Sequence, residues 1–337
     1  MKKYFTFIFA LVFVCLATKE VRAAAPELIE KAKREGELSF YTNINIGESK
    51  PLLDAFEKKY PSIKTKLIRI GGTAIAARIL TEARAGRHLW DVAGPLLLYV
   101  REILKRGLIA PYDSPERKFF RKEFKDKKGF WTAIVLNTST MVYNTQTLKP
   151  AEYPKTYDDL LLPHFKGGKI SMDTQLYMWF DGQLKIRGRE KGLEFMRKLK
   201  AQDPVFRRGR TAQAQLVIAG ELSVAVEVYG HRSQSFKSKG APLDWVAVEP
   251  VLIHPLVATM NKNAPHPNAA RLFIDFILSQ EGQKMLRDKG RIPARSDVPP
   301  NPPGLLRPEW KVKIMGLEQD ITEIRKLYSK IFELPGG

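Results

Sequence analysis

From Glu37 to Ala93 the apolar pattern changes period repeatedly, and this alternation constrains the fold more than any other feature of the chain. Glu37 to Tyr41 alternates as a strand, and Pro51 then opens a helix in which Leu52, Leu53, Phe56 and Tyr60 share one face before Pro61 closes it. Lys64 to Ile70 alternates again, Gly71-Gly72-Thr73 turns, Ile75, Ile79, Leu80 and Ala83 line a second helix, and Trp90 to Ala93 forms a third short strand. Strand, helix, strand, helix, strand at this spacing is an α/β unit whose strands run parallel, because each crossover helix must cover a sheet face.

A second block repeats the theme. Trp131 to Tyr143 is rich in β-formers, Lys169 to Met172 is a short buried strand, and helices are expected over roughly 175 to 200 and over Thr211 to Ala219. Leu222 to Tyr229 is a strand, Leu243 to Leu252 and Pro255 to Met260 are extended, and Pro267 starts a helix with Leu272, Phe273, Phe276 and Ile277 on one face. A proline-rich stretch from Pro299 to Pro308 precedes a terminal helix of about 20 residues. With 337 residues the chain is long enough for two lobes, and 44% apolar with 27% charged residues excludes a wholly disordered or polytopic membrane protein.

Lys2 and Lys3 precede an apolar run from Tyr4 to Ala17, followed by Val21-Arg22-Ala23-Ala24. The run is shorter than the roughly 20 residues a spanning helix needs, so residues 1–23 are expected to be a secretory signal peptide cut near Ala23, and the mature protein to be periplasmic. Cys15 is the sole cysteine and lies in this run, so the mature chain needs no disulfide and has neither a thiolate nucleophile nor a cysteine metal site.

Lysine and arginine number 56 against 36 acidic residues, for a formal charge of +20, which suits an anionic partner. The basic residues are spread over every segment without interleaved aromatics, and export separates the chain from nucleic acid, so none is expected as a partner. Neither Gly-x-Ser-x-Gly nor His-Glu-x-x-His occurs, and the five histidines, at 88, 164, 231, 254 and 266, stand singly, so no catalytic constellation is visible. Phe206-Arg207-Arg208-Gly209-Arg210-Thr211 leads directly into a helix, where free N–H groups and arginine forks favour an anion, although an exposed basic turn reads the same way. Gly71-Gly72-Thr73 repeats that arrangement, with Thr73 alternatively a simple N-cap.

The order of these elements, together with several phrases, resembles the extracellular solute-binding proteins of bacterial ABC importers, in the branch that includes ferric-iron-binding proteins. The phrases are Ala32-Lys33-Arg34-Glu35-Gly36-Glu37 with Phe40-Tyr41-Thr42, Phe56-Glu57-Lys58-Lys59-Tyr60-Pro61, and Arg78-Ile79 through Glu82 with Ala85-Gly86. Further along come Val142-Tyr143-Asn144-Thr145, Pro154 to Leu160, Gly220-Glu221, Ala264 to Ala270 and Ser279-Gln280-Glu281-Gly282-Gln283. The resemblance implies a two-lobed periplasmic binding protein type 2 fold with a ligand cleft between the lobes, closing by hinge bending, and no enzymatic activity. Mapped here, lobe 1 comprises 24–132 plus 255–298 and lobe 2 comprises 133–254. Residues 299–337 form a linker and a C-terminal helix packed outside, and the hinge falls near Trp131 to Leu136 and Pro250 to Pro255.

Cleft residues in such proteins come from the carboxyl ends of strands. That places Thr42, Asn43, Gly72, Thr73 and Gly94 in the cleft from the first lobe. From the second it places Asp173, Thr174, Tyr177, Arg208, Gly209, Arg210, Thr211 and Tyr229. Ferric-binding members carry two adjacent tyrosines at the last position, whereas Val228-Tyr229-Gly230-His231 keeps one. With arginines and helix starts near the expected cleft, the expected ligand is a small organic anion such as a sugar phosphate, phosphonate or carboxylate, held by Arg208 or Arg210, by backbone N–H groups near Gly72 and Gly209, and by stacking or hydroxyl contact from Tyr229 or Tyr177. No metal or other cofactor is expected; ferric iron on Tyr229 is the alternative, and a periplasmic enzyme on the same fold a further one. Permease membrane subunits are the expected protein partners of a monomer.

Overall fold

The computed structural model describes residues 26–71, 74–318 and 320–335. The signal segment, Gly72 and Thr73 thus lie outside the described residues, and among those described no helix is long and apolar enough to cross a membrane. The first block runs α1 (Pro26–Glu35), β1 (Glu37–Thr42), α2 (Ile46–Lys59), β2 (Lys64–Arg69), α3 (Ala74–Arg84), β3 (Val92–Gly94), α4 (Leu97–Lys105) and β4 (Ile109–Ala110). After β5 (Thr132–Asn144), the second block runs β6 (Ile170–Asp173), α5 (Tyr177–Arg187), α6 (Arg189–Lys200), β7 (Val205–Arg207), α7 (Arg210–Ile218), β8 (Val224–Tyr229), α8 (Gly230–Ser238) and β9 (Leu243–Val246). The chain then returns through β10 (Val251–Asn261) to α9 (Pro267–Leu278), α10 (Gln280–Asp288) and β11 (Ile292–Pro293), and finishes with β12 (Val312–Ile314) and α11 (Ile321–Phe332).

The strands follow the order β2-β1-β3-β10-β5-β8-β6-β7. β1 is parallel to β2 and β3, and β6 is parallel to β7 and β8, so each lobe holds a parallel sheet with crossover helices. The two sheets are joined by β5 and β10, which run antiparallel to each other. β10 gives Thr259 and Met260 to β3, and β5 gives Ser139 to Tyr143 to β8, so both long strands belong to both lobes. The bulges between Leu256 and Val257 and between Thr140 and Val142 bend these strands as they pass from one sheet to the other.

Packing follows the same division. In the first lobe Phe273 of α9 meets Phe40 of β1 at 5.0 Å and Phe56 of α2 at 5.2 Å between ring centroids. In the second, Trp179, Phe180, Met172 and Val226 form a separate buried cluster, and Val142, Val217 and Val228 fill the space under α7. Burial of such side chains is worth about 1.5–3 kcal/mol each, so each lobe has a core of its own.

Two element boundaries differ from the sequence reading. α2 begins at Ile46, ahead of Pro51, because the N–H groups of Glu48 and Ser49 and the Ser49 hydroxyl all donate to the Asn45 carbonyl. The terminal helix has 12 residues rather than about 20: Asp320 caps it by accepting from the N–H groups of Thr322 and Glu323, and Val312–Ile314 is a strand beside β10. This helix is also no loose appendage. Tyr328 is fully buried against Tyr177 and Phe180, and its hydroxyl donates to the Asp173 carbonyl at 2.6 Å.

Candidate functional site

A cavity of about 450 Å³ opens where the carboxyl ends of β1, β6, β7 and β8 face one another across the crossing strands. This is the place open α/β sheets use, since the strand ends and the helix starts that follow them leave backbone and side-chain groups pointing outward. Of the residues singled out in the sequence, Asn43, Asp173, Tyr177, Arg208, Gly209, Arg210, Thr211 and Tyr229 line it.

Thr42, Gly94 and Thr174 do not. Thr42 and Gly94 stand opposite each other on β1 and β3, the Thr42 hydroxyl accepts from the Ile44 N–H, and a Cβ on Gly94 would sit 3.0 Å from that hydroxyl. The pair is buried, and the close approach there leaves little room for a side chain larger than glycine. The Thr174 N–H donates to the Arg207 carbonyl.

Gly209 has a φ of 97°, a conformation that L side chains rarely adopt, and it aims its N–H at the Asp173 carboxylate, 3.0 Å away. That N–H, expected to meet a ligand, is thus already engaged. The other Asp173 oxygen accepts from the Gln175 N–H at 2.8 Å. Asp173 is the single acid among the described lining residues, and its charge is directed into the backbone of its own lobe.

Four arginines line the cavity, two of them unanticipated: Arg208, Arg210, Arg232 and Arg291. Arg210 lies over the Tyr229 ring, 4.5 Å from its centroid, and donates through Nε and Nη2 to Glu227 at 2.8 and 2.5 Å. Glu227 is fully buried behind it and also takes hydrogen bonds from Ser139 and His254, the latter at 3.0 Å. Burial works to raise the Glu227 carboxyl, but Arg210, then His254 and Ser139, hold it well below the usual carboxylate range. Burial likewise opposes the charge on Arg210, and Glu227 more than compensates, so the guanidinium is held charged and fixed in orientation. Ser139 Oγ and the Glu227 carboxylate both meet His254 at Nε2, so the trio braces Arg210 from behind.

Arg291 is buried and donates to Glu48 at 3.0 Å and to the Asn137 side chain at 2.9 Å. Arg232 of α8 reaches the same Glu48 at 3.7 Å, an ion pair that spans the two lobes. Arg208 is exposed and forms no ion pair among the described residues. His231 is buried beside Tyr229, and burial, reinforced by Arg291 and Arg232, pulls its imidazole well below the usual histidine range, so it stays neutral. Burial pushes the Tyr99 phenol up to about 12 and raises Tyr177 and Tyr229 as well, so all three are neutral hydroxyls. Among the described residues no cluster of three or more His, Cys, Asp and Glu side chains converges as metal ligands.

Arg291, Arg232, Tyr99 and Asn137 carried no local signal. Arg291 reaches the cleft only because α10 and β11 return to β5 after the second lobe is complete, a long-range event that no nearby motif announces. His231 could have been found, since it follows Tyr229 by two residues at a helix start.

Comparison with known proteins agrees with this architecture. The chain is 21% identical to iron-bound HitA from Pseudomonas aeruginosa, with a TM-score of 0.77 over 88% of this chain and 99% of that one. It is 24% identical to AfuA from Actinobacillus pleuropneumoniae, solved with fructose-6-phosphate, with a TM-score of 0.75 over 88% and 98%. In sequence it is 26% identical over 283 residues to an uncharacterized protein of Haemophilus influenzae, covering 80% of each chain, and 22% identical over 198 residues to an Fe(3+)-binding periplasmic protein of Serratia marcescens, covering 53% and 56%. Residues 99–321 match the family described as bacterial extracellular solute-binding protein, more than half of the sequence. With that match, a two-lobed α/β frame and a solute-sized cleft at its strand ends, the chain belongs to the bacterial extracellular solute-binding proteins, which bind a solute rather than transform it.

Proposed function

We propose that this protein, exported to the periplasm and trimmed near Ala23, captures a small organic anion and delivers it as a monomer, without a cofactor, to the membrane subunits of an ABC importer. The anion sits between a lobe built from 24–132 with 255–298 and a lobe built from 133–254. The observation that carries this reading is the convergence of Arg208, Arg210, Arg232 and Arg291 on one cavity whose single acid is turned into its own backbone. Arg210 and Arg291 are braced from behind by Glu227 and Glu48, so they hold their forks ready without reorganisation, and charge-assisted hydrogen bonds to a phosphate or carboxylate follow. The starts of α5, α7 and α8 add their positive ends to the same space.

A ferric ion is the second reading, supported by the iron-bound relative and by Tyr229 in the cleft. It ranks lower because the Arg210 guanidinium rests on the Tyr229 ring, placing a cation where a trivalent metal needs anionic donors. Native mass spectrometry of protein purified from the periplasm, compared with its denatured mass, separates the two. An excess matching an organic anion, lost in Arg208→Ala, is the expected result. An excess of one iron atom, with a visible tyrosinate band abolished in Tyr229→Phe, establishes the ferric reading instead.

A further inference from the structure

A second cavity, which shares no lining residue with the cleft, lies where the chain crosses back over the strands that join the lobes. β11 pairs with β5 and β12 with β10, so these four strands lie in the order β11-β5-β10-β12. Residues 294–311 connect the two outer strands as an arch over the inner two, and the Thr138 hydroxyl of β5 donates to the Leu305 carbonyl of the arch at 3.4 Å. The cavity, of about 450 Å³, lies between arch and strands, and its floor takes one residue from each strand: Pro293, Leu136, Ile253 and Val312. Successive residues of a strand face opposite sides, and β5 accordingly gives Leu136 to this cavity and Asn137 to the cleft.

The roof is stiff. Pro299, Pro300, Pro303 and Pro308 line it with Leu306 and Trp310, and the fixed φ of proline keeps such a wall from folding into the space. No acid lines the cavity among the described residues, whereas three guanidinium groups do: Arg121, Arg295 and Arg307. Arg295 is spent on Glu116 and Asp297. Arg121 meets only the solvent-open Glu123, at 3.4 Å, and Arg307 lies 5.8 Å from the centroid of the Trp310 ring with no ion pair among the described residues. A mostly apolar space of roughly 300–1,000 Å³ with a few placed polar groups is the form that small-molecule sites take. Here the placed groups are cations, which complement a negative charge at one end of an apolar body.

We infer that the space beneath the arch is a second binding site, which takes a free, small amphipathic anion. Its aromatic or alkyl body lies against the prolines, Leu136 and Ile253, and its single charged end, a sulfonate, carboxylate or phosphate, meets Arg307 and Arg121 at the rim. The site is independent of the solute held in the cleft.

Two fluorescent probes that share one ring system test it: anilinonaphthalene sulfonate and the uncharged N-phenylnaphthylamine, each titrated into the purified protein. The expected result is that the sulfonate saturates a site on each chain and binds ten-fold or more tightly than the neutral probe. Arg307→Ala is expected to lower that preference at least three-fold, and Val312→Trp, which fills the cavity from an exposed position, to remove binding. Thermal unfolding establishes that the variants are folded, and the exposed Arg307 decides the matter should Val312→Trp fail to fold. Equal binding of the two probes, tighter binding of the neutral one, or no saturable binding overturns the site. A preference that Arg307→Ala leaves unchanged, or that Arg208→Ala abolishes, puts the probe elsewhere and overturns it too. Protein that sediments with phosphatidylglycerol vesicles but does not bind the free sulfonate overturns it in favour of a membrane surface.

Discussion

Asp275 is a carboxyl held where its charge is poorly solvated. It lies on α9 inside the first lobe, accepts from the Tyr112 hydroxyl at 2.8 Å, and has its other oxygen buried without a partner. Burial pushes it up to about 6 from an ordinary value of 3.8. Between those values the folded chain binds more protons than the unfolded one, so stability falls as pH rises through that window and stays at its lower level above pH 6. The cost at neutral pH is on the order of 2–3 kcal/mol. Asp275→Asn keeps an acceptor for Tyr112 and removes the charge. It is expected to raise the unfolding midpoint at pH 7.5 and to lose that advantage at pH 4, read by urea titration at both values. Residues of this kind were only partly legible beforehand. Arg210 and Tyr229 could be placed because each ends a recognisable strand or opens a helix, whereas the partners that fix Arg210, namely Ser139, His254 and Glu227, come from three strands far apart in sequence.

Among the elements, α11 shows how a terminal segment bears on the cleft. Its Tyr328 is fully buried and bonds the Asp173 carbonyl, while the Asp173 carboxylate fixes Gly209 and hence the start of α7. Deleting a buried aromatic costs about 3–5 kcal/mol, and losing the hydroxyl alone about 1 kcal/mol. Tyr328→Ala is therefore expected to unfold at much lower denaturant than Tyr328→Phe, and to weaken anion binding as Asp173 and Gly209 lose their anchor. Equal midpoints for the two variants would show that the helix merely rests on the surface. The parallel strands and crossover helices could be read from periodicity because each carries its own apolar stripe. The length of the terminal helix, the strand before it and α8 could not, since the first two are set by a cap at Asp320 and by pairing with β10, and α8 carries few apolar residues.

At the scale of the whole molecule, basic residues outnumber acidic ones, 56 against 36, and the cleft itself presents guanidinium groups. Such a field steers small anions inward, and it is screened with a Debye length of about 10 Å at 0.1 M salt. For a solute of the proposed anionic class, the association rate followed by stopped-flow tryptophan fluorescence is expected to fall several-fold between 10 and 200 mM salt as screening grows. The dissociation rate should change far less, because short-range pairs of the proposed kind are screened less than the long-range field. An association rate indifferent to salt would mean that the charge serves no steering.

The paths of β5 and β10 carry a consequence for how this molecule can exchange parts with its relatives. β3 and β4 depend on β10 for pairing, yet the whole second sheet lies between them in the chain. A single crossover anywhere within that interval gives a hybrid whose first sheet comes from two parents. Two crossovers, one in each crossing strand, move β6 to β9 together with Arg208, Arg210, Tyr229 and His231, and leave behind Asn43, Arg291 and α11, whose Tyr328 packs into that lobe's core. A hybrid made this way keeps that part of the cleft in register only where the recipient's α11 still fits the surface formed by Tyr177 and Phe180.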